Sequence, residues 1–99
     1  MKYYTVGDTA YIKVIHQLYT LSTETWANTD CDATFPKITI TDPAGTVKVN
    51  AASMTKKATG KYEYLYTIPA TPVVGTWVCI VDVENGTYPD RQNFDFGVR

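Results

Sequence analysis

Apolar residues recur along this chain at every second position, the repeat of a half-buried β-strand. In the first strand region, Tyr3–Tyr19, Ala10, Ile12 and Val14 form one face and Tyr11, Lys13 and Ile15 the other, with a break at Gly7-Asp8. Ile38 and Ile40 share a face within Pro36–Asp42. Asp42-Pro-Ala-Gly45 then has turn chemistry, because proline presets φ at the second position, and Val47 and Val49 predict a short return strand. Tyr62, Tyr64, Tyr66 and Ile68 alternate with Lys61, Glu63, Leu65 and Thr67, and Pro69 and Pro72 close that strand because neither can donate to a ladder. Gly75–Val83 is hydrophobic on both faces and predicts a central strand. Asn85-Gly86 predicts a tight hairpin with both residues at positive φ, after which Phe94, Phe96 and Val98 point inward from a last strand, Asn93–Arg99.

Two stretches lack this alternation. Thr20–Phe35 is rich in Thr, Asn and Asp and predicts a long loop, with a short helix around Thr23–Ala27 capped by Ser22 or Thr23. Ala51–Gly60 predicts a polar connection. About seven short strands at this spacing, with no long helical pattern, predict an all-β fold: a two-sheet antiparallel β-sandwich.

The succession VGDTA, ITITDPAGTV, GKYEYLYTIP, GTWVCIVDVENG and a terminal FDFGVR resembles small immunoglobulin-like β-sandwich proteins of bacterial and phage type, as encoded among the virion structural genes of tailed phages. Related patterns occur in macroglobulin-type and filamin-type repeats. The resemblance treats residues 1–99 as a single immunoglobulin-like domain in which 18–35 is an insertion. It implies a non-enzymatic structural or interaction module attached to a capsid, neck or tail. Its partners would be other structural proteins, with self-association included, and it would act in the virion or in the host cytoplasm during assembly. Gly60, Tyr62, Tyr66, Gly75 and Trp77 match structural marks of such sandwiches. The antibody-type arrangement is absent, because Trp77 precedes Cys79 on the same strand.

Composition narrows the function classes. A chain of 99 residues forms one domain with little room for an enclosed active site. A net charge of -1 and scattered basic residues, with only Lys56-Lys57 adjacent, give no footprint for nucleic acid or anionic lipid. No apolar run approaches the roughly 20 residues of a membrane helix. MKYYTVGDTAYIKV has neither an uninterrupted apolar stretch nor a small-residue cleavage site, so a chain that works where it is made is expected.

Candidate chemistry is sparse. His16 is the one histidine, and with Cys31 and Cys79 it gives three potential nitrogen or sulfur ligands far apart, short of a zinc set. His16 has no partner at catalytic spacing and reads as a surface or strand-end residue. No phosphate-cradling glycine motif occurs, so no catalytic residue and no cofactor are expected. Asn28, Asp30 and Asp32 alternate, which makes Asp30 and Asp32 candidate cation ligands; they lack the central glycine and distal glutamate of a helix-loop-helix calcium site, and a solvated turn explains them equally. Cys79 is expected in the core and Cys31 in a loop, with their pairing open. Tyr19, Trp26 and Tyr88 exceed what one core needs and are the interaction candidates, suited to protein contact or to stacking on a glycan. The glycan possibility defines the alternative, an extracellular adhesion or carbohydrate-binding module. Pro36 and Pro89 flank candidate sheet edges, so contact through loops or faces is expected over sheet extension.

Overall fold

The computed structural model describes residues 2–86 and 88–99, with Thr20 and Tyr88 described by their backbone alone. Ten strands occur among them: β1 (Tyr3–Tyr4), β2 (Thr9–Ile15), β3 (Gln17–Thr20), β4 (Thr25–Asn28), β5 (Lys37–Thr41), β6 (Val47–Ser53), β7 (Thr55–Ala58), β8 (Lys61–Thr67), β9 (Gly75–Asn85) and β10 (Tyr88–Val98). One sheet has the order β1-β10-β9-β5-β6, a second β2-β8-β7, and β3 and β4 pair only with each other. The ladders are antiparallel except β1 with β10, which run parallel through Tyr3↔Gly97 and Tyr4↔Val98.

The two larger sheets share one core. Ala10, Ile12 and Val14 of β2 alternate inward as their spacing requires, and they meet Ile38, Ile40, Trp77, Cys79, Val81 and Phe96 of the opposing sheet. Trp77 is fully buried, stacked on Phe96 at 5.8 Å between centroids and tilted against Tyr66 of β8 at 5.9 Å. Its indole N–H, which would be costly to bury unpaired, donates to the Val73 carbonyl at 2.8 Å. β9 is central, between β10 and β5, as its apolar run predicts.

Four local expectations change. The proposed helix around Thr23–Ala27 is instead the turn and second strand of the β3–β4 hairpin. Thr25 and Trp26 are strand formers, and an isolated hairpin arm offers no apolar surface on which a short helix could pack. The Ala51–Gly60 connection is the end of β6 and all of β7, an edge strand exposed at every position and therefore without an apolar face to betray it. At the β9–β10 turn, Asn85 is the last paired residue, opposite Tyr88, so the hairpin begins one residue later than read; Gly86 has φ 62° and Asn85 does not have positive φ, while Thr87 lies outside the described residues. Pro36 precedes β5, which is internal to its sheet, and so protects no edge.

Cα atoms extend over 51 × 21 × 19 Å with a radius of gyration of 15.0 Å, against roughly 13 Å for a compact chain of this length. The 11-residue strands β9 and β10 and the self-paired β3–β4 hairpin both lengthen the molecule. Four residues per strand make the hairpin about 13 Å long at strand rise.

Candidate functional site

The connection from β2 to β5 projects from one end of the sandwich and carries the hairpin. His16 marks the handover from one partner strand to the next. Its backbone N–H donates to the Gly60 carbonyl at 2.7 Å, and its carbonyl accepts from the Thr29 N–H at 3.0 Å. Its ring Nδ1–H donates to the Thr29 carbonyl at 2.7 Å, and the residue is buried rather than on the surface as its strand-end position suggests. β2 therefore leaves β8 and continues as β3 against β4.

Antiparallel alternation from the hydrogen-bonded pair His16–Thr29 makes Tyr19↔Trp26 a non-hydrogen-bonded pair, in which side chains approach most closely. The two rings lie 5.1 Å apart at 49°. On the same face one pair down, Gln17 Nε2 donates to Asn28 Oδ1 at 2.8 Å. The turn closes through Glu24 N–H to the Leu21 carbonyl at 3.3 Å, with Glu24 at φ 52°. Trp26 is 65% exposed and Leu21 81% exposed, and Tyr19 is also exposed. The hairpin tip is thus an apolar, ring-bearing projection with no share in the core. Tyr88, the third interaction candidate, pairs opposite Asn85 at the foot of β10; its side chain lies outside the described residues.

The segment after the hairpin is a clasp. Asp30 accepts the Gly60 N–H on Oδ1 at 2.9 Å and the Lys56 ammonium on Oδ2 at 2.6 Å, while its carbonyl accepts from Asn85 Nδ2 at 2.9 Å. The Cys31 N–H donates to the Tyr62 hydroxyl at 2.9 Å. Asp32 donates its N–H to the Glu84 carbonyl at 2.7 Å and accepts the Gly86 N–H on Oδ2 at 2.9 Å. Three turns distant in sequence, around residues 30, 60 and 86, are tied together in this way. The candidate cation ligands Asp30 and Asp32 therefore have defined structural duties. Among the described residues no group of three or more His, Cys, Asp and Glu side chains gathers.

Asp30 is held below the ordinary carboxylate range, chiefly by the hydrogen bond from Lys56 and then by that from the Gly60 amide, and the same pair raises Lys56. A carboxyl with a lowered folded pKa stabilises the fold above its unfolded value and loses that contribution as pH falls. A lysine with a raised folded pKa contributes below its unfolded value and loses it as pH rises. The clasp is therefore strongest from about pH 4 to about pH 10. Asp30→Asn is expected to be less stable than the parent near neutral pH, with the difference shrinking below about pH 4; urea unfolding midpoints across that range check this. Both groups are largely exposed, so the effect is small.

The cysteines are not bonded to each other. Cys79 is fully buried, and burial pushes its thiol up to about 12. Cys31 is half-buried against the core, and burial raises it too, so both thiols resist ionisation at neutral pH.

Tyr19 and Trp26 stand out individually in the sequence, but only the hairpin register joins them into one cluster. The signal for Leu21 is an apolar residue amid Thr and Ser. No family model matches the chain, and neither a curated protein nor a solved structure matches it.

Proposed function

We propose that this chain is a non-enzymatic interaction module of immunoglobulin-like connectivity, and that the tip of the β3–β4 hairpin is its contact element. The observation that carries the reading is the exposed Tyr19–Trp26 pair with Leu21 on an arm that projects from the sandwich. Rigid aromatic side chains give large contact area at low entropic cost, and a cluster of exposed apolar side chains marks an interaction site. Immunoglobulin-like connectivity is supported by the parallel pairing of a short first strand with the last strand, and by a sheet of order β1-β10-β9-β5-β6 facing β2-β8-β7. In that scheme the hairpin occupies the loop between the second and third main strands, at the end where the Gly60 and Gly86 turns also lie.

The likeness of the chain to phage-type modules makes a virion structural protein the partner class. Mass spectrometry of purified particles from the source should find this chain among their components; particles free of it would overturn the virion reading. The tilt of 49° between the two rings leaves no shared plane on which a pyranose could lie, which favours protein contact over glycan stacking. A glycan array that captured the chain through Trp26 would reverse that preference.

A further inference from the structure

We infer that the free edge of β2 pairs with the β2 of a second copy of this chain, joining two three-stranded sheets into one of six. Among the described residues β2 pairs with β8 alone. Its register over Thr9–Ile15 is unbroken across seven residues and contains no proline. The other edges carry obstacles to pairing. β6 is interrupted by register shifts and has Ala51 at φ 49°. β7 is four residues long, shifts register and presents adjacent Lys56 and Lys57. β10 carries Pro89, Asp90 and Asp95 beyond its short pairing with β1. Proteins blunt exposed edges with such devices, and of them β2 carries only the single charge of Lys13, with no proline, bulge or left-handed residue.

The backbone groups on this edge follow from alternation. His16 N–H bonds to Gly60 at one end of the β2–β8 ladder, and Ile68 N–H bonds to the Asp8 carbonyl at 2.8 Å at the other. Even-numbered residues between them therefore face β8, and the N–H and C=O groups of Thr9, Tyr11, Lys13 and Ile15 face outward. Antiparallel pairing of two copies about Ile12 engages all four. It sets Tyr11 opposite Lys13 of the second copy and Thr9 opposite Ile15 of the second copy, so no like charges meet. Within one copy Lys13 Nζ lies 4.8 Å from the centre of the Tyr11 ring, a cation–ring attraction between neighbours on one strand, and the same two residue types face each other across the seam. A shift by two residues places Lys13 against Lys13, or Tyr11 against Tyr11, and leaves outward groups unpaired. This self-complementarity of sequence and register is what selects a second copy as the occupant over a strand of another protein. A recess of about 170 Å³, lined by Ala10, Ile12, Phe94 and Phe96 with the charged Lys2 and Asp95 beside them, opens next to the same edge, so added chain there would also cover part of that apolar surface.

Sedimentation velocity over a concentration series tests the pairing. The parent chain should form a dimer, with Tyr11 and Lys13 amides that exchange more slowly as concentration rises. Lys13→Pro removes an N–H that faces outward, so it should give a monomer whose unfolding midpoint matches that of the parent at dilutions where the parent is itself monomeric. Tyr11→Lys, which leaves the backbone intact and serves if the proline variant does not fold, should weaken association about tenfold, because symmetry counts each cross-strand pair twice. Adding Lys13→Glu to Tyr11→Lys should restore it. A parent chain monomeric up to about 1 mM, or a dimer unaffected by both Lys13→Pro and Tyr11→Lys, would overturn the inference.

Discussion

Replacing Gly60 by alanine is expected to destabilise the domain by about 2–5 kcal/mol and to loosen the β3–β4 hairpin from its base. Gly60 has φ +70°, and a Cβ there would lie 2.6 Å from the His16 carbonyl oxygen and 2.7 Å from the Thr29 amide nitrogen. Both are backbone atoms engaged in hydrogen bonds, so neither can turn aside as a side chain would. The left-handed conformation costs an L-residue about 1–2 kcal/mol, and displacing two paired strands adds the rest. Gly45 provides the control. It has φ +89° with open space around its Cβ position, so Gly45→Ala should cost only the conformational part, about 1–2 kcal/mol. Urea unfolding midpoints of the two variants, compared with the parent, separate the contributions. Equal losses would mean that the close approach at Gly60 contributes nothing.

Trp77→Ala is expected to cost about 3–5 kcal/mol, a large share of the total for a domain of this size. Trp77 is 0% exposed, lies between Phe96 and Tyr66, and its indole is the donor to the Val73 carbonyl. Truncation would open a cavity at the meeting of both sheets and orphan that carbonyl. Trp26, chemically the same residue, should behave in the opposite way: with 65% of its surface in solvent, Trp26→Ser should stay within about 0.5 kcal/mol of the parent. Thermal or urea unfolding of the two variants side by side checks the contrast. A comparable loss at Trp26 would place the hairpin in the folding core.

The core was legible because strand alternation writes it locally. Ala10, Ile12 and Val14, then Trp77, Cys79 and Val81, occupy every second position, and each is buried. β7 was not legible: an edge strand exposed on both faces needs no apolar residues, and Thr-Lys-Lys-Ala reads as a loop. The β3–β4 hairpin escaped for a related reason, since its strands are stabilised by each other and by cross-strand pairs such as Tyr19↔Trp26 instead of by a core. The duties of Asp30 and Asp32 were beyond local reading altogether. Their partners Gly60 and Gly86 lie 30 and 54 residues away, and only the assembled sandwich brings those turns together. Gly60 itself was visible as the end of a connection, but its need to lack a side chain arises from His16 and Thr29, which the sequence places far from it.

What distinguishes a contact element from a structural one is that its removal spares the fold. The double variant Tyr19→Ser/Trp26→Ser tests this most directly, through its unfolding midpoint and the amount of chain retained by purified particles from the source. The predicted result is a midpoint near that of the parent, since two exposed rings contribute little beyond their mutual contact, together with loss of the chain from the particles. Retention of the variant at the parental level would contradict the assignment of the hairpin tip as the contact element.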